Sequence, residues 1–112
     1  MESILTSIKK LLGITEEYAH FDNDIILHIN AAFMSLRQIG VGPKEGFSIS
    51  SDEQTWSDFI GDSTNFEMVK IYVYIKVRSI FDPPTSSSVT DALNRQAQEC
   101  EWRLNVQAET EV

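Results

Sequence analysis

The chain is short of most of what catalysis, metal binding or cross-linking requires. It has one cysteine, Cys100, which excludes an intrachain disulfide and leaves a thiolate metal site without a second sulfur. A lone thiol fits reducing surroundings. The only histidines are His20 and His28. On a helix that spacing is about two turns, whereas a metal pair wants three or four residues. Asp22 and Asp24 lie near His20, but surface polarity around a helix start accounts for all four residues. Cations are scarce: nine Lys and Arg face 17 Asp and Glu, giving a net charge of -8, which argues against a generic nucleic-acid binder because phosphate contacts need clustered Lys and Arg. No apolar run approaches the ~18 residues of a membrane span. Ile4 to Leu12 is too short and carries Lys9 and Lys10, so neither a signal peptide nor a membrane partner is expected. No internal repeat is present, and low complexity is confined to a short serine run.

Proline and glycine are few, and their places divide the chain. Ile4, Leu5, Ile8, Leu11 and Leu12 make an amphipathic helix from Ser3 to Leu12, with Gly13 as its C-cap. Thr15 to Phe21 is polar and acidic, a turn or a lead-in. Asp22 to Ile39 is the second helix, capped by Asp22 or Asn23, with a stripe of Ile25, Ile29, Ala32, Leu36 and Ile39 and an end at Gly40. Gly40, Gly42, Pro43 and Gly46 prevent regular structure up to Ser51, although Phe47 and Ile49 alternate with serines as in a short strand. Ser51 and Gln54 fit a capping box for a short helix that ends at Gly61, with Trp56, Phe59 and Ile60 on one face.

The stretch from Phe66 to Phe81 is apolar almost throughout. Its Val, Ile and Tyr content at 71–77 suits a strand. Three features favour a helix. The segment exceeds ordinary strand length. Thr64 or Asn65 can cap it, with Glu67 in the first turn. Lys70, Tyr74 and Arg78 fall on one outer face. Asp82-Pro83-Pro84 then stops it, because neither proline can donate to the helical ladder. Ser88 and Asp91 fit a capping box for a last helix to Gln107, with Leu93, Ala97, Cys100 and Leu104 at helical spacing. The expected architecture is all-α: about five helices in one domain over residues 1–112, an irregular Gly/Pro loop between the second and third, and a frayed tail at 108–112. Helices two, four and five should bury most of their stripes against one another. At this length a chain buries roughly 65% of its unfolded surface, enough for a modest core.

No constellation in the chain supports bond-making chemistry. The acids from Glu45 to Glu67, with Asp52, Glu53, Asp58 and Asp62 between, sit in turn-rich sequence where solvation keeps them ordinary. No calcium loop fits them. Cys100 lies on an apolar stripe and reads as a small core hydrophobe. Gly40-Val41-Gly42-Pro43 lacks the Gly-Lys-Ser/Thr end of a phosphate loop. Trp102 stands about 200° from Leu104 around the helix, off the apolar stripe. It is either an edge contact inside the domain or an anchor for a partner. Trp56 poses the same alternative, with core packing favoured.

Several segments, in this order, resemble the head–tail connector family (head-completion adaptors) of long-tailed bacteriophages and prophages. They are Ile8 to Ile14 (Ile-Lys-Lys-Leu-Leu-Gly-Ile) followed by Thr15-Glu16-Glu17; Leu36 to Gly42 (Leu-Arg-Gln-Ile-Gly-Val-Gly); Trp56 in a short helix; Phe81 to Ser87 (Phe-Asp-Pro-Pro-Thr-Ser-Ser); and Glu101 to Asn105 (Glu-Trp-Arg-Leu-Asn). The resemblance implies a structural virion subunit at the head–tail junction, made in the host cytoplasm. It implies partners too: further copies in a ring, the portal protein, and a downstream connector or tail protein, with DNA passing through the channel without sequence-specific binding. It brings no catalytic motif, cofactor or metal. A ring needs two different faces on each subunit. The expected faces are the outer side of the last helix (Arg95, Gln98, Trp102, Arg103) and the central loop (Phe47, Ile49). The rival reading from another class is an acidic DNA mimic or regulatory binding protein, against which stands the scatter of the acids.

Overall fold

The computed structural model describes residues 2–61 and 65–110; the cap candidate Thr64 and the acid Asp62 lie outside them. Five helices follow in order: α1 (Ile4–Leu12), α2 (Asp22–Gln38), α3 (Trp56–Ile60), α4 (Phe66–Phe81) and α5 (Ser87–Thr110). Among the described residues there is no strand, only an isolated antiparallel bridge between Ser3 and Thr55. The all-α expectation therefore holds, including the helix at Phe66–Phe81 that composition left ambiguous.

α4 is helical because it is enclosed. It packs against α2, α5 and α1, so apolar residues are required around most of its circumference. Val69, Tyr72, Val73, Ile75 and Val77 are all buried. A helix hydrophobic on several faces needs such enclosure. α2 and α5 therefore flank α4, with α4 taking the central position. Phe21, just before α2, meets Phe81 at the end of α4 with ring centroids 5.3 Å apart. At the other end Asn105 of α5 donates to the Ile39 carbonyl at 3.1 Å. α2 and α5 thus run parallel, and α4 runs antiparallel to both.

The caps differ from expectation where long-range contacts decide them. α1 has the expected stop, Gly13 at φ 82, a left-handed conformation that suits glycine, but Ser3, expected as its first residue, is instead its cap, with Oγ accepting from Thr6 N. α2 is not capped by Asp22 or Asn23. Phe21 holds the cap position, and Asp22 in the first turn is drawn to Lys9 at 2.8 Å. α3 begins later than expected. Its capping box is Thr55 with Asp58, the Asp58 carboxylate accepting from Thr55 N at 2.9 Å. Gln54 instead accepts from Ser50 N and Ser51 N, closing a turn. The reason is tertiary: Ile4 N donates to Gln54 O and Trp56 N to Glu2 O, which keeps 54–55 extended beside the start of α1. For α5 the cap is Ser86, whose Oγ accepts from Val89 N at 3.4 Å, not Ser88. α5 is helical to Thr110, beyond the expected end at Gln107, and residues 111–112 of the expected frayed tail lie outside the described residues. Its last turns lean on the bundle: a Cβ built on Gly40 would lie 3.3 Å from Ala108 Cβ.

The serine-alternating segment at 47–50 points Phe47 and Ile49 inward and Ser48 and Ser50 outward, as in a strand, but no strand pairs with it. A side chain does so instead. Asn30 Oδ1 accepts from Ile49 N at 2.8 Å and its Nδ2 donates to Ile49 O at 3.0 Å. Ile49 is 4% exposed, and Phe47 packs on Phe33 and Phe59 with centroids 5.3 and 5.2 Å away.

Candidate interaction surfaces

The titratable groups with displaced pKa values are embedded in the core rather than gathered at a cleft. Cys100 is buried on α5, and burial, reinforced by Glu99, raises its thiol pKa and leaves it a poor nucleophile. Tyr72 is fully buried on α4. Burial raises its pKa, and a 2.8 Å hydrogen bond to Glu101 Oε1 raises it further. Because the folded value exceeds the unfolded value of about 10, the folded state holds this proton longer. The contribution to stability is complete below pH ~10 and is lost as pH rises through the folded value. The unfolding free energy should therefore fall above pH 10, by up to about 1.4 kcal/mol per pH unit in urea titrations, and Tyr72→Phe should flatten that limb. An identical alkaline limb in both proteins would refute this.

Among the described residues no group of three or more His, Cys, Asp or Glu is placed to hold a metal. A cleft of about 420 Å³ lies where the Gly40–Pro43 turn meets Phe59, Val69 and Leu104, and no titratable residue lines it. No helix of the described residues is long and apolar enough to cross a membrane.

The surface has more to offer. Arg95, Gln98, Trp102 and Arg103 are all exposed on α5, with Trp102 66% exposed. Trp102 is therefore no edge contact within the fold. Arg103 Nη2 pairs with Glu99 Oε1 at 2.9 Å, an exposed i,i+4 bridge of small worth. Trp56 resolves the other way: it is fully buried and donates from Nε1 to Ser7 Oγ at 2.8 Å. The central-loop pair does not join the α5 residues, since Ile49 is core and Phe47 is half-buried against Phe33.

A cluster that sequence reasoning passed over lies at the N-terminal end of α2. Tyr18, His20 and Phe21 form a run of contacting rings, with centroid distances of 5.9 Å (Tyr18–Phe21) and 4.7 Å (His20–Phe21). Beneath them is Lys9, 2% exposed. Its Nζ donates to the carbonyls of Glu16 (3.0 Å) and Tyr18 (2.9 Å) and approaches Asp22 Oδ1 at 2.8 Å as an ion pair without a well-aligned hydrogen bond. In sequence the only signal was weak: Lys9 stands at the edge of the apolar arc of Ile8, Leu12 and Leu5, not outside it on the opposite face. Leu27 and Met34, on the outer side of α2, are also well exposed, at 65% and 67%.

Large exposed side chains on α2 and α5 are what this helical body offers to other macromolecules. Comparison with known families makes this specific. A family model described as phage connector protein matches residues 4–111, and the chain belongs to that family of structural head–tail connectors. It is accordingly a virion component. No curated protein and no solved structure matches the chain.

Proposed function

We propose that the subunit forms a ring on the portal vertex, extends the DNA channel and presents a surface to the next connector or tail protein, after synthesis in the host cytoplasm. The role is architectural, without catalysis. The family match over nearly the whole chain is the observation that carries this reading. The physical features agree with it. A net charge of -8 repels the phosphate backbone and lets DNA slide past without being gripped. Trp102 offers a large aromatic anchor to a neighbouring protein.

Sedimentation and electron microscopy of the purified subunit, alone and mixed with portal rings, test the proposal. The wild type should give closed rings seated on the portal. Trp102→Ala should weaken assembly or docking by more than tenfold, on the scale of a hot-spot loss of about 2 kcal/mol or more, while its far-UV CD stays helical. A subunit that remains monomeric with and without portal rings would overturn the ring reading.

A further inference from the structure

We propose that the aromatic end of the bundle, at Tyr18, His20 and Phe21, docks an arginine-bearing segment of a different protein. The contact goes beyond the ring reading above and does not depend on it.

Three observations support it. First, the aromatic end is displayed rigidly. Tyr18 is 50% and Phe21 36% exposed, yet the loop carrying them is tied down from beneath by the buried Lys9 ammonium. Phe21 is also braced edge-on against Phe81 at the end of α4. Rings already held in position lose little freedom on binding.

Second, the surround is acidic and its charge is uncompensated. Residues 15–24 contain Glu16, Glu17, Asp22 and Asp24 and no Lys or Arg. Lys9 neutralises Asp22; the other three are exposed and have no ion-pair partner among the described residues. The cations Lys10 and Arg78 line a separate groove between α1 and α4, together with Asp82. Lys10 pairs with Glu2, and Arg78 donates to the Tyr74 hydroxyl. A partner for the rings must therefore bring positive charge. Arginine fits both features, because a guanidinium stacks flat on an aromatic face while its N–H fork pairs with a carboxylate. An ammonium is a point charge without that planar fork.

Third, this chain has no net-positive surface of its own to supply the charge. Lys9 is buried, and Lys70 shares Glu2 with Lys10. On α5, Arg95 stands one turn from both Asp91 and Glu99, and Arg103 is bridged to Glu99. Arg37 and Lys44 line a groove with Glu109, and Glu45 follows Lys44. Lys76 lines another with Glu101. Each exposed cation thus has a carboxylate for a neighbour, so a second copy brings no surplus positive charge to the rings. The occupant is another chain.

Peptide titrations followed by NMR test the proposal. Two hexapeptides are added to the full chain at low salt, one alternating glycine with arginine and one alternating glycine with lysine. The arginine peptide should move the amide signals of residues 16–24 and the ring signals of Tyr18 and Phe21, and should bind about threefold or more tighter than the lysine peptide. Glu16→Gln with Glu17→Gln should weaken both peptides by about threefold or more. Tyr18→Ala keeps the backbone carbonyl that Lys9 holds, so its CD should stay helical while the preference for arginine is lost. Asp52→Asn with Glu53→Gln removes two exposed acids elsewhere and should leave both affinities unchanged. Equal affinity for the two peptides, or an equal loss in the Asp52 and Glu53 variant, would make this end one part of a generally acidic surface and overturn the proposal. Self-association of Tyr18→Ala should match wild type by sedimentation; a loss there would assign the rings to a second copy and overturn it as well.

Discussion

Trp56→Ala should remove most of the stability of the wild-type fold. Trp56 lies where three separate parts of the chain meet. Its ring touches Phe33 of α2 and Phe66 of α4, with centroids 6.4 and 5.8 Å away. Its indole N–H reaches Ser7 of α1, whose own hydroxyl donates to Ile4 O at 3.0 Å. Truncating a buried tryptophan costs about 3–5 kcal/mol through lost burial and the cavity left behind. A native domain has only ~5–15 kcal/mol in total, and one of this size sits low in that range. Trp56→Phe separates the two contributions: it keeps an aromatic ring but removes the donor to Ser7, and about 1–3 kcal/mol is expected. Urea denaturation followed by CD measures both. A Trp56→Ala midpoint close to wild type would mean that α3 is not part of the cooperative core.

How much of this was legible in the sequence depended on whether the deciding contact is local. α1 could be read almost in full because its stripe and its Gly13 stop lie within about ten residues of one another; only Ser3 differed, a cap rather than the first helical residue. α4 could be read from length and flanking stops, despite its strand-like composition, because enclosure by three helices demands apolar residues on several faces and length still separates helix from strand. The capping of α3 could not be read. Ser51–Gln54 and Thr55–Asp58 are equivalent as local patterns, and the choice between them is made by Glu2 and Ile4, some fifty residues away, which hold Gln54 and Trp56 beside α1. Ile49 shows the same limit: its alternation with serines is real, but what satisfies its backbone is Asn30, a side chain on α2. Of the expected interaction residues, those on α5 needed only helical geometry to place them on the outside. Those on the central loop needed knowledge of what packs above and below, which a local pattern does not contain. The aromatic end was missed because its defining element, Lys9, looks like an ordinary surface lysine until the fold shows it sealed under the loop.

Lys9→Ala should destabilise the fold and free the loop above it. The ammonium is 2% exposed and answers three oxygens at once. Removing it leaves the Asp22 carboxylate without its counter-charge and the Glu16 and Tyr18 carbonyls without their donor. Breaking a buried pair from one side costs about 3–5 kcal/mol. The Asp22 side chain is 28% exposed and can regain some water, which puts the expectation near the lower end, about 3 kcal/mol. Adding Asp22→Asn removes the stranded charge, so the double variant should be less destabilised than the sum of the two singles by about 1 kcal/mol or more. Hydrogen exchange distinguishes a local from a global effect. Amides of residues 14–22 should lose protection in Lys9→Ala well beyond the loss in α4, because the loop's tether is this one side chain. Unchanged exchange at 14–22 would show that the loop is held by its own packing, and Lys9 would then be a charge buried to no structural purpose.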